Sequence, residues 1–283
     1  MTHLKKLFVL LLSLVLLTAC APAARASEVS ALFINVGKAD AALLFLGEEH
    51  YLVDTGTKDS YDQLVRVLDT YGVKRLSGVI VTHTDKDHAG GLKKLLKGGM
   101  QVDMLYASEL HSEADLEDHR VWEAADKYGV PLTWLKAGDV LTAQDGSAFH
   151  VLGPVRQDPE NENNNSLVIR LVTAEGDMLL TGDMELEEEN DLMERGAISK
   201  APVLKVSHHG EDDSTSKRFV FLVQPQWAVI STNTVEEPDT PDSKILSRLS
   251  EVRASVAVTQ DAEVGILITL KNGKAEAHAI NWQ

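Results

Sequence analysis

Short apolar runs rich in Val, Ile and Leu recur along almost the whole chain, and this rhythm restricts the fold more than any other feature of the sequence. Ala31 to Val36, Ala41 to Leu46, Tyr51 to Val53 and Gly78 to Thr82 have the length and β-branched content of strands. The period then changes. Ser60 to Tyr71 sets Leu64, Val67, Leu68 and Tyr71 on one helical face and is stopped by Gly72. Helices are also expected over Gly91 to Lys97 and over Asp115 to Tyr128, the latter closed by Gly129 and Pro131. Strands resume at Ala148 to Leu152, Leu167 to Thr173 and Met178 to Thr181, followed by an acidic helix at Glu185 to Met193. Further strands follow at Pro202 to Ser207, Trp227 to Thr232, Ser255 to Thr259, Val264 to Leu270 and Ala275 to Ile280. Strands paired with one another and then covered by helices predict an α/β fold of sheet packed on sheet with helices outside. The polar stretch Gln157 to Asn165 reads as the loop joining two halves of one domain.

With 283 residues, 44% of them apolar, the chain can bury one enzyme-sized core. Its start has another character. Lys5 and Lys6 precede an apolar run from Leu7 to Leu17 broken only by Ser13. This is the layout of a secretory leader, too short to span a bilayer. The run ends in Leu17-Thr18-Ala19-Cys20, which resembles a bacterial lipobox. Residues 1–19 are therefore expected to be a signal peptide, Cys20 the lipidation site, 20–29 a linker and 30–283 the folded domain. The protein would be exported and lipid-anchored to the outer face of the cytoplasmic membrane. Ala24-Arg25-Ala26 offers an alternative cleavage site that would release it. Cys20 is the single cysteine, so no internal disulfide is available and stability must come from packing. The net charge of −16 becomes two units more negative without Lys5 and Lys6. Such a surface repels polyanions at long range, so added salt is expected to favour, rather than oppose, cleavage of a long one.

The chemistry gathers at strand ends. After the strand at Gly78 to Thr82 comes His83-Thr84-Asp85-Lys86-Asp87-His88-Ala89-Gly90-Gly91. In an extended segment alternate residues point the same way, so His83, Asp85 and Asp87 can converge while His88 turns in at the start of the next helix. Imidazole nitrogen combined with carboxylate oxygen suits Zn or Mn. Two later strands end in Leu180-Thr181-Gly182-Asp183 and Leu204-Lys205-Val206-Ser207-His208-His209-Gly210. Lys205 lies in an apolar strand, where an unpaired ammonium is costly, so it is either paired with a site carboxylate or aimed at a substrate anion.

Taken together, these segments resemble the metallo-β-lactamase superfamily, whose signature is His-x-His-x-Asp-His after a strand. Aspartate at the middle position is similar to ComEC-type hydrolases. Ile34-Asn35-Val36-Gly37-Lys38-Ala39-Asp40-Ala41, Val53-Asp54-Thr55-Gly56 and Asn163-Asn164-Asn165-Ser166-Leu167-Val168 fall in that group's order, so the resemblance covers about residues 31 to 270. It implies an αββα sandwich of two mixed sheets holding two Zn ions, or Mn in their place. His83 and Asp85 would ligate one ion, Asp87 and His88 the second, and Asp183 would bridge. His208 would complete the second site, with His209 as its substitute. Asp40 and Asp54 would support the ligands or cap strand ends. Asn164 and Asn165 stand where the family has a further histidine, and they would support ligands or hydrogen-bond substrate oxygens. Asp87 and Lys205 would be the catalytic side chains. The chain departs from the group in two places. Asn35, Lys38 and Ala39 replace its Asp, Gln and Gly, and Thr234 to Pro241 lacks its Gly-His-Pro.

What the resemblance implies is a metal-dependent hydrolase acting outside the cytoplasmic membrane. The expected substrate is a small or polymeric phosphodiester attacked by hydroxide. Lactones, thioesters and phosphocholine esters are hydrolysed on the same fold. The rival class is a metal-containing lipoprotein that binds DNA or an anionic wall component without cutting it. No stretch after residue 22 approaches membrane-span length, so no transmembrane channel is expected in this chain.

Overall fold

The computed structural model describes residues 29–283. The leader, Cys20 and the alternative cleavage site lie outside the described residues. Val29, placed in the linker by the sequence, pairs with Leu270 in a strand.

In chain order the first half lays down β1 (Val29–Ile34), β2 (Ala42–Leu46), β3 (Glu49–Val53), β4 (Arg75–Leu76), β5 (Gly78–Val81), β6 (Gln101–Val102), β7 (Leu105–Ser108) and β8 (Leu132–Leu135). The second half lays down β9 (Val140–Thr142), β10 (Ala148–Gly153), β11 (Val168–Thr173), β12 (Gly176–Leu180), β13 (Val203–Lys205), β14 (Trp227–Ile230) and β15 (Ser255–Val258). A closing hairpin of β16 (Gly265–Lys271) and β17 (Lys274–Ile280) returns to the first sheet beside β1. One sheet has the order β17-β16-β1-β2-β3-β5-β7-β8, the other β15-β14-β13-β12-β11-β10-β9, and β4 pairs with β6 alone. Both large sheets are mixed, antiparallel on one side and parallel on the other. The expected αββα sandwich is the fold observed.

The strand runs are apolar because both of their faces are covered. In β1, Ala31 and Phe33 enter the layer between the sheets, while Leu32 and Ile34 enter the layer under the helices. The inter-sheet layer meets Phe149, Ile169, Leu171 and Met178 from the second sheet. The outer layer of the first sheet is covered by α1 (Tyr61–Thr70), α3 (Leu92–Lys97) and α4 (Arg120–Tyr128), the short α2 (Lys86–Ala89) lying beside them. That of the second sheet is covered by α5 (Leu186–Glu194), α6 (Lys217–Val223) and α7 (Ser243–Glu251). Each fully buried Leu, Ile or Phe in these layers contributes roughly 1.5–3 kcal/mol.

The helix expected from Asp115 begins only at Arg120, after a single 3₁₀ turn at Leu116–Asp118. His119 is extended, and its ring accepts from the backbone N–H of Trp122, which makes it the cap. No helix among the described residues is long and apolar enough to cross a membrane.

The C-terminal ends of β1, β3 and β5 share one edge of the first sheet, and those of β12, β13 and β14 share one edge of the second. The backbone N–H of Leu167 donates to Thr82 C=O across 2.8 Å and ties the two edges together.

Candidate metal centre

At this joined edge Asp87, His88, Asp183 and His209 each present a ligand atom within 4.8 Å of the others. Their positions follow from local chain geometry. Asp85 caps α2 with extended backbone, so the next turn carries Asp87 and His88 back over the end of β3. Gly182 takes φ +52 with Thr82 and Ser166 close to where a Cβ would sit, and this tight turn brings in Asp183. After β13 the chain makes two consecutive left-handed residues, His208 at φ 45 and His209 at φ 53. For non-glycine residues each costs on the order of 1–3 kcal/mol.

Each imidazole in the cluster is aimed by a second contact. Asp54 accepts from the backbone N–H of Thr82 at 2.7 Å and from its hydroxyl at 2.8 Å, and its Oδ2 stands 2.8 Å from His88 Nδ1. His209 Nδ1 donates to Ser231 C=O at 2.8 Å. With Nδ1 engaged, Nε2 is the free nitrogen of each ring. His88 Nε2 lies 3.1 Å and His209 Nε2 3.2 Å from the same oxygen, Asp183 Oδ2, and His209 Nε2 is also 3.3 Å from Asp87 Oδ2. Neither Nε2 makes a hydrogen bond of good geometry, and Asp183 Oδ1 is likewise buried and unpartnered.

Neutral rings would turn lone pairs onto a carboxylate, an arrangement that requires positive charge between them. Burial pushes the pKa of both histidines down, yet the surrounding carboxylates, Asp183 foremost, raise His88 well above its ordinary value and His209 to about 9. Burial pushes Asp183 up, and His209 and His88 together hold it well below. The buried, unsatisfied nitrogen and oxygen donors therefore fit a divalent cation.

His83 lies against this cluster. Its ring centroid is 4.1 Å from that of His88, its Nδ1 is 3.1 Å from the Thr82 hydroxyl and 3.2 Å from that of Ser166, and its buried Nε2 has no hydrogen bond. Burial, and then His88, push its pKa down and keep it neutral, as a ligand must be. Asp85 Oδ2 is 3.9 Å from His83 Nε2 on a half-exposed side chain.

Three expectations are corrected. His208 is not in the cluster: its Nδ1 points to Asp213 Oδ1 at 2.9 Å, and it groups with Glu185 and Asp213, while His209 takes the inward place. The left-handed turn sets the two neighbouring rings in opposite surroundings. Lys205, expected as a catalytic side chain, takes the first of its two alternatives and is paired with a site carboxylate. It is buried, 2.6 Å from Asp40 Oδ2, and donates to Val206 C=O, because an ammonium at that depth must be paired. Asp40 Oδ1 in turn lies 3.9 Å from His209 Nδ1, so the pair stands behind the ligands. Asn164 and Asn165 do not face the cluster. Asn164 donates to Asp158 Oδ2, while Asn165 donates to Asp158 C=O and Glu162 and accepts from the Asp158 N–H. Both hold the loop ahead of β11.

Sequence reasoning missed several supporting groups. Ser231 contributes only a carbonyl and carries no side-chain signal. Thr82 and Ser166 act through hydroxyls beside His83. At the mouth, Lys38 Nζ is 2.5 Å from Glu211, and its backbone N–H donates to Glu236, whose carboxylate lies over Gly37 at φ +86. Lys38 was visible only as a departure from the family pattern.

The ComEC-type resemblance read from the motifs is matched by known relatives. The chain is similar to ComE operon protein 3 of Bacillus subtilis (strain 168), 34% identical over 254 residues, which are 83% of this chain and 32% of that protein. It is also similar to competence protein ComA of Neisseria gonorrhoeae, 27% identical over 220 residues, 76% of this chain and 28% of that one. The chain thus spans about a third or less of the length of these curated relatives. Among solved structures, CmlA, a diiron β-hydroxylase from Streptomyces venezuelae, superposes with a TM-score of 0.59 at 10% identity over 86% of this chain and 54% of that one. A diphosphatase of the PhnP family gives 0.53 at 14% identity over 86% and 98%. At such identities the likeness is one of fold. A family model described as the metallo-beta-lactamase superfamily matches residues 34–233, a span that takes in every member of the ligand cluster, and the chain belongs to that superfamily.

Proposed function

We propose that the chain is a metal-dependent hydrolase of phosphodiesters. The observation that carries this reading is the convergence of His88 Nε2 and His209 Nε2 on one oxygen of Asp183. Asp87, His88 and His209 would hold one cation, His83 and Asp85 a second, and Asp183 would serve both. A divalent cation held there, Zn or Mn, would supply Lewis acidity to polarise a phosphoryl oxygen and to make water a nucleophile near neutral pH.

The remaining work belongs to the chain. Asp54 and the Ser231 carbonyl fix the two rings, so no reorientation accompanies the reaction. Asp87, partly open to solvent, remains ionised because His209 and His88 outweigh the burial that would raise its pKa, so it can accept a hydrogen bond from, and orient, an attacking water. Asp40 and Lys205 neutralise one another behind the ligands. The metal-loaded full chain should cleave a small chromogenic phosphodiester. Asp87→Ala should abolish turnover with the circular-dichroism spectrum retained. Absence of cleavage with both Zn and Mn would remove the phosphodiester reading.

We also propose export and lipid anchoring through Cys20, which rests on the leader and lipobox-like segment alone. Cys20→Ser should shift the protein from the membrane fraction to the medium, and a variant that stays with the membrane refutes the anchor.

A further inference from the structure

In a chain with 43 acidic and 27 basic residues, one surface pocket gathers basic side chains almost to the exclusion of acidic ones. It measures about 680 Å³ and is lined by Lys58, Lys86, Lys93, Lys94 and Arg120, with Asp59 as its one acidic lining residue. Of the five cations, Lys93 alone pairs with a carboxylate among the described residues, Glu123. Lys94 Nζ instead sits 5.3 Å from the centre of the Tyr61 ring. The five come from the loop after β3, from α2, from α3 and from the first residue of α4, so folding alone gathers them.

The pocket and the metal centre share α2. Its α2 wall carries Lys86 immediately before Asp87, ~3.8 Å away along the backbone. The loop bearing Lys58 is fastened to that helix by Thr55 N–H to His88 C=O at 2.7 Å and by Gly91 N–H to Gly56 C=O at 3.0 Å. At the floor, a Cβ on Gly90 would lie 2.1 Å from Lys86 C=O and 2.8 Å from the Lys58 nitrogen, so only glycine permits this approach. Lys86 is thus carried on the helix that bears Asp87 and His88, and Lys58 on a segment hydrogen-bonded to it, beside a site whose own carboxylates would repel an anion.

Resting on the phosphodiesterase reading above, we propose that this pocket is a subsite for the backbone of a phosphodiester-linked polymer. Phosphates flanking the one at the metal centre would lie on Lys58, Lys86, Lys94 and Arg120. Sparse, unpaired cations on an acidic protein act locally, within the roughly 8 Å Debye length of physiological salt, while the rest of the surface repels. Binding of a polymer should accordingly weaken with salt, the reverse of what the overall charge suggests.

The test is equilibrium binding to the metal-free full chain, which reads the subsite without turnover. The probes are a fluorescent twelve-residue oligothymidylate and, as a second arm, poly(glycerol phosphate). The combined variant Lys58→Gln, Lys94→Gln, Arg120→Gln should weaken binding roughly tenfold or more at low salt. It should also reduce the log–log salt slope by about 2, given ~0.7 per phosphate contact on a single strand. Lys58→Arg with Lys94→Arg should retain binding, which separates lost charge from lost fold. Binding of both polymers identifies the backbone as sufficient, and binding of only one identifies the source. Equal affinity of wild type and the triple variant overturns the proposal, as does binding to phosphatidylglycerol vesicles with neither polymer bound. Polymer binding by a protein that cleaves no small diester removes the hydrolase reading and leaves the subsite, whereas cleavage without polymer binding does the opposite.

Discussion

Asp54 governs the site without belonging to the ligand cluster. It adopts φ 61, a backbone conformation that asparagine tolerates, and its carboxylate holds Thr82 and His88 together. Asp54→Asn should keep the fold and lower metal affinity about 10–100-fold, as loss of an outer carboxylate–histidine contact does. A competition titration against a chromogenic chelator measures it, and unchanged affinity would show that His88 is held by packing alone. At this scale the sequence is informative about residue types and silent about direction. His83, Asp85, Asp87 and His88 are legible because they crowd one strand end. Which of His208 and His209 turns inward is decided by two positive φ values that no pattern announces.

Elements with a buried period were legible, and those whose period is short or masked were not. β1 through β3 alternate between two apolar layers and read plainly. β7, Leu-Tyr-Ala-Ser, and β8, Leu-Thr-Trp-Leu, are four residues each and mix polar with apolar. Too few residues remain for a periodicity to emerge. α6 hides because Phe-Val-Phe-Leu-Val looks like a strand, although Ser216 caps it through the N–H of Phe219. α7 had its signal in Asp242, which caps it through the Lys244 N–H. The loop before β11 carries the prediction for this scale. Asn165 is fully buried and fills three hydrogen bonds within that loop. Asn165→Ala should therefore destabilise the protein by ~1–3 kcal/mol through unsatisfied partners. Denaturant unfolding measures the loss, and a variant as stable as wild type but impaired in turnover would return Asn165 to a substrate role.

Across the whole molecule one inter-sheet core is shared by both halves, and the closing hairpin of β16 and β17 locks the last strands against the first. Loss of charge pairing at the centre should therefore register as global stability, in a single transition. His209, raised to about 9 from an unfolded value near 6.5, contributes stability that is complete below pH 6.5 and lost as pH rises through 9. His88 is raised in the same sense. Metal-free protein should unfold in one transition whose free energy falls between pH 6.5 and 9, by up to ~3 kcal/mol, lowering the midpoint, and metal should flatten the profile. A midpoint rising over that interval contradicts the assignment. Lys58, Lys86, Lys94 and Arg120 come from separate segments, and net charge, a sum over the chain, does not register where they gather. β1 runs six residues, ~20 Å, from Val29 toward the turn that holds Asp40, so whatever lies upstream joins the domain at the end of the sheet remote from the ligands.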